Sequence, residues 1–89
     1  MPEENSQEIV QLITQIPVGY SEVMFEGNRY SLTCIPYNSN RSLKVFAQEL
    51  GGNDFISFNY YTLESGPFLR PCEMLQSKVL NFLRGWKPV

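Results

Sequence analysis

The chain of 89 residues contains no histidine. That absence removes much of enzyme chemistry, because a serine or cysteine nucleophile then has no imidazole to take its proton and zinc loses its commonest ligand. Cysteine is scarce as well. Cys34 and Cys72 lie far apart in the sequence, which is no metal-ligand spacing. The opening Met1-Pro2-Glu3-Glu4 has neither the basic segment nor the apolar run of a secretory leader, so both cysteines are expected as free thiols in the cytoplasm. The triplet Asn40-Arg41-Ser42 matches a glycosylation acceptor, which carries no weight in a chain expected to stay inside the cell. No apolar run approaches membrane-spanning length, and no membrane role is expected. A phosphate-cradling loop is missing too: Gly51-Gly52 is followed by a strand pattern, not by a helix, and reads as a turn.

Charge is sparse, at 18% of residues, with 7 basic and 9 acidic side chains and a net charge of −2. Glu3, Glu4 and Glu8 sit in the first eight residues, so the remaining body is close to neutral. No long-range field marks it for nucleic acid, membrane or acidic substrate.

What the chain does have is apolar material, 43% hydrophobic and 13% aromatic. This fills one core and no more, since a chain of this size buries roughly 60 to 65 per cent of its unfolded surface. A single domain over 1–89 is expected, with residues 1–4 as a flexible tail.

Ile9, Val10, Leu12, Ile13 and Ile16 recur at helical spacing and predict an amphipathic helix over about residues 6–16. Asn5 with Glu8 forms a candidate capping box, and Pro17 with Gly19 ends the helix. From Tyr20 the period changes to two. Val23 and Phe25 precede Gly27-Asn28, and Tyr30, Leu32 and Cys34 follow, which predicts a hairpin turning at Gly27-Asn28 with Phe25 opposite Tyr30 and Val23 opposite Leu32. Pro36 is expected to end the second strand before a polar loop over 37–41.

Leu43, Val45 and Ala47 alternate up to Gly51-Gly52-Asn53-Asp54, and Ile56, Phe58 and Tyr60 continue beyond it. Pairing Leu50 with Phe55 sets Ala47 against Phe58, while a turn one residue different would bring Phe46 inward. Phe68 to Cys72 reads as extended or irregular because of its prolines. Leu75, Val79, Phe82, Leu83 and Trp86 predict a closing helix that stops at Gly85. The expected fold is therefore α+β: a four-stranded antiparallel meander sheet with N-terminal and C-terminal helices packed on one face, in the order α-β-β-β-β-α.

Among candidate chemical groups, Glu22, Glu26, Glu49, Asp54, Glu64 and Glu73 show no spacing that selects an acid-base pair. Cys72 reads as lying just before a helix, where the dipole lowers a thiol pKa, and a thiol-based redox role is one alternative. Cys34 reads as core filler. The stronger signal is the sheet face turned away from the helices. There Lys44 with Phe46, and Asn59 with Tyr61, bring cation, amide and rings together as candidate binding residues. No catalytic residue, metal or cofactor is expected.

Two resemblances accompany this reading. The run Glu49-Leu50-Gly51-Gly52-Asn53-Asp54-Phe55-Ile56-Ser57-Phe58-Asn59-Tyr60-Tyr61, followed by Leu69-Arg70-Pro71-Cys72-Glu73-Met74, resembles a family of small uncharacterised cyanobacterial proteins over residues 46–74. It implies a source and no activity. Four strands leading into a helix also resemble the fold of the transcriptional coactivator and plant whirly proteins, which implies single-stranded DNA binding. Those proteins present a basic sheet face, to which only Arg29, Arg41, Lys44 and Arg70 could contribute here, and the N-terminal helix departs from the coactivator pattern. The expected function is a non-enzymatic interaction module that binds a protein partner or its own copy through the outer sheet face, with weak single-stranded nucleic-acid binding as an alternative.

Overall fold

The computed structural model describes residues 6–39 and 41–89. The tail and the Asn5 cap lie outside the described residues.

Helix α1 (Ser6–Thr14) is shorter than its apolar pattern. Its last turn tightens, with the Gln15 and Ile16 N–H groups donating to Leu12 and Ile13 carbonyls, before Pro17 removes the next donor. Strand β1 (Gly19–Phe25) then pairs with β2 (Asn28–Tyr37) around a turn centred on Glu26-Gly27. This corrects the expected Gly27-Asn28 turn. Glu26 and Gly27 both adopt left-handed backbone, at φ 52° and 82°, as a type I′ hairpin turn requires, and glycine takes the second position. Phe25 therefore pairs with Asn28 and Val23 with Tyr30, two residues from the expected register. A slip of two leaves every side chain on its face.

Strand β2 runs through Pro36 to Tyr37 instead of stopping at the proline. Proline is tolerated because β1 has already ended, with Gly19 opposite Cys34, so β2 is an edge on that side. Tyr37 pairs with Ser42, which opens β3 (Ser42–Glu49). Strand β4 (Phe55–Leu63) pairs Gln48 with Phe55 and Ala47 with Ile56, again two residues from expectation. The Glu49 N–H donates to the Asp54 carbonyl at 2.8 Å and closes the connection. Ala47 and Val45 are fully buried, so Phe46 points outward.

The four expected strands are joined by two more. Strand β5 (Gly66–Pro71) pairs along β4 at the sheet edge, where Pro67 and Pro71 are admissible; of the two expectations for this stretch, extended or irregular, it is extended, and it adds a strand the four-stranded expectation left out. Helix α2 (Gln76–Gly85) then leads to β6 (Lys87–Pro88), which pairs with β1 at the opposite edge. Among the described residues the sheet is antiparallel throughout, in the order β5-β4-β3-β2-β1-β6.

Both helices share one core with the inner sheet face. Ile9, Ile13 and Ile16 join Val79, Leu80, Phe82 and Leu83 over Val23, Leu32, Val45, Ile56 and Phe58. Leu75, expected in this stripe, is instead the exposed residue preceding α2, and Leu80 takes the buried role. Phe25, Tyr30 and Phe82 form a ring cluster with centroids 4.9 to 5.7 Å apart. Gly85 is the last residue of α2, ahead of the extended Trp86, and its bare Cα lets Phe25 pack closely: a Cβ there would meet the ring at 3.0 Å.

Candidate functional site

Strict alternation along the strands sends Val23, Leu32, Val45 and Phe58 under the helices and their neighbours to the other side. Among the described residues no helix overlies that outer face, and the registers arrange it in rows across the sheet. Ile35, Lys44, Asn59 and Arg70 form a central row. Thr33, Phe46 and Ser57 lie on one side of it, and Tyr37, Ser42, Tyr61 and Phe68 on the other.

The four expected binding residues, Lys44, Phe46, Asn59 and Tyr61, all sit on this face, but they group differently. Lys44 lies directly opposite Asn59. Phe46 leans on Phe55, with ring centroids 6.1 Å apart at 30°, and Tyr61 stacks on Phe68 at 6.1 Å and 28°. A row of two cations and an amide is thus bracketed by two ring pairs. Phe55 and Phe68 are the residues that sequence reasoning missed, and Arg70, considered there only as a contributor to a basic face, joins the central row. Phe55 shares the parity of Asn59 and Tyr61 and was readable from alternation alone, whereas Phe68, and the place of Arg70 in the row, need β5 to be recognised as a strand.

Phe46 and Phe68 are open, at 39% and 47% relative exposure, Tyr61 is half-buried, and Lys78 Nζ of α2 lies 5.7 Å from the centroid of the exposed Phe55 ring. Tyr20, Ile35 and Tyr37 add further exposed apolar surface. Glu22 on this face accepts from Arg29 at 3.2 Å and from the Tyr20 hydroxyl at 3.4 Å, so its charge is answered locally. Lys44 and Arg70 have no ion-pair partner among the described residues. At the end of the face a shallow cleft of about 600 Å³ opens beside Tyr61, lined by Asn38, Arg41, Ser42 and Glu64. Ser42 is buried there and accepts from the Asn38 amide at 3.1 Å.

Cys72 does not sit at a helix start. Leu75 is the residue preceding α2, and the Cys72 backbone N–H is committed to the Ser57 carbonyl at 2.9 Å, in line with the sheet. The helix-dipole argument for a reactive thiol therefore falls away. Cys34 is buried, and burial pushes its thiol pKa up, away from reactivity.

A second polar cluster lies on the helix side. Asp54 accepts from the Tyr30 hydroxyl and from Lys78 Nζ, both at 2.7 Å. The Lys78 and Tyr30 hydrogen bonds hold the Asp54 carboxyl below its ordinary range, while burial and then Asp54 push the Tyr30 phenol well above its own. The cluster ties the β3–β4 connection to β2 and α2, and its groups are already satisfied by one another. Among the described residues no group of three metal-ligating side chains occurs, and no helix is long and apolar enough to cross a membrane.

Comparison with known protein families, with curated proteins and with solved structures gives no match to this chain.

Proposed function

We propose that the chain is a non-enzymatic interaction module that docks a protein partner, or a second copy of itself, through the outer sheet face. The observation that carries this reading is the pair of ring contacts, Phe46 with Phe55 and the half-buried Tyr61 with the exposed Phe68, on a face that no helix overlies among the described residues, Lys78 of α2 reaching only the Phe55 ring at its margin. Exposed aromatic and arginine side chains around a shared apolar surface are what binding hot spots are made of. A cytoplasmic location belongs to the same reading, supported by cysteines that stay unpaired. Amide chemical shifts and light scattering on concentrated protein test it together. Wild-type protein is expected to show concentration- or partner-dependent shifts on β3, β4 and β5, and Phe46→Glu is expected to erase them while leaving the core resonances in place. Shifts confined to the helices would count against the outer face.

Single-stranded nucleic acid is a second reading, favoured by the Lys44 and Arg70 charges lying between stacked rings. Its affinity must fall with salt, and two contacting cations give a logarithmic slope of only about −1.4. Absence of binding to a labelled oligonucleotide at low salt removes this reading.

A further inference from the structure

Resting on the outer-face reading above, we infer that the partner is an acidic protein segment bound in extended form, with apolar side chains on either side of its carboxylate. The chain is acidic overall, yet its uncovered face presents the opposite sign. The net charge is −2, whereas the central row of the face carries Lys44 and Arg70 with no ion pair among the described residues. Of the carboxylates on this side, Glu22 is held by Arg29, and Glu64 lies at the end of the face, in the cleft beside Tyr61, outside the Lys44–Asn59–Arg70 row.

Geometry narrows the partner further. Lys44 and Arg70 flank Asn59 from the two neighbouring strands, so a carboxylate placed above Asn59 lies between two cations. Rows along a strand are about 6.7 Å apart, the distance between alternate residues, and an extended segment laid along the strands presents its own alternate side chains at the same interval. The sequence of rows, Phe46 and then Lys44 and then the Tyr61–Phe68 pair, is thus complemented by apolar, acidic and apolar residues at i, i+2 and i+4.

A second copy of the chain fits less well. An isologous dimer about an axis through this face brings the cation row toward its own counterpart, and like charges set opposite one another are unfavourable.

The test uses the full chain labelled for amide chemical shifts and a synthetic peptide of repeated Leu-Ser-Glu-Ser. Versions with Glu replaced by Gln or by Lys, and a poly-thymidine oligonucleotide, serve as comparison probes. The Glu peptide is expected to shift β3, β4 and β5 amides, to weaken with added salt, and to lose at least about tenfold in affinity to a Lys44→Ala/Arg70→Ala variant, the scale of lost charge pairing. Equal binding of the Gln peptide overturns the acidic partner while leaving the outer-face reading intact. Binding of no peptide overturns the inference, and overturns the outer-face reading as well if the concentration- and partner-dependent shifts on β3, β4 and β5 are also absent. Tighter binding of the oligonucleotide, or dimerisation through the face without any peptide, also overturns the inference in favour of those occupants.

Discussion

Val45 and Phe46 are neighbours in one strand and meet opposite conditions. Val45 has no exposed surface, whereas Phe46 keeps 39% of its own in the open. The same contrast repeats at Phe58 and Asn59 and at Tyr60 and Tyr61, and it divides the sheet into a face that holds the molecule together and a face free to do something else. An antiparallel sheet with one solvated face is common. What sets this one apart is that the solvated face keeps its large rings.

The sharpest way to test the division is to truncate one ring on each side. Phe58→Ala, on the buried face, is expected to cost about 3 to 5 kcal/mol in chemical denaturation, enough to threaten folding of a domain this small. Phe46→Ala is expected to change stability by less than about 1 kcal/mol. Comparable losses at the two positions would mean that the outer rings are structural.

Gly85→Val probes the buried side more gently. The added methyl groups drive into the Phe25 ring, where even a Cβ comes to 3.0 Å, and an overpacking cost of about 1 to 3 kcal/mol is expected, lowering Tm by several degrees. An unchanged Tm would show that the Phe25, Tyr30 and Phe82 cluster has slack.

Tyr30→Phe is the mildest of the three substitutions on the buried side. At neutral pH it removes one hydrogen bond to Asp54, a loss of about 1 kcal/mol. Its pH signature is more telling. The folded-state pKa of Tyr30 lies above the unfolded value of about 10, so its contribution is fully present below pH about 10 and is lost as pH rises toward the folded pKa. Wild-type stability should therefore fall in that alkaline window and the variant should fall less. Tyr60, raised by burial as well, leaves a residual slope. An identical decline in both proteins would remove Tyr30 as its source.

The division into two faces was legible from the sequence because side chains alternate with a period of two, and Lys44, Phe46, Asn59 and Tyr61 share a face for that reason alone. Register was not legible. Both hairpins pair two residues away from the hydrophobic reading, and a slip of two is invisible to that pattern because it keeps every residue on its side. The turn decides instead: Glu26-Gly27, with both residues left-handed, overrules Gly27-Asn28. Ring partners depend on register and on neighbouring strands, which is why Phe68, and the place of Arg70 beside Asn59, came only with the structure. Strand β5 was hidden by the prolines at its two ends, which are signs of an edge strand as much as of irregular chain, and β6, at two residues, shows no periodicity at all.

The smallest strand has a consequence in time. Strands β1 to β5 are joined by short connections, so their pairings can form between near neighbours in the chain and need little loop closure. Strand β6 reaches β1 only after α2 has carried the chain from one edge of the sheet to the other, and it secures two residue pairs when it arrives, Val23 with Pro88 and Met24 with Lys87. It is thus expected to be the last ladder to close during folding and the first to open afterwards. Amide exchange should find the Lys87 end of the chain opening many times for each excursion of the sheet it completes.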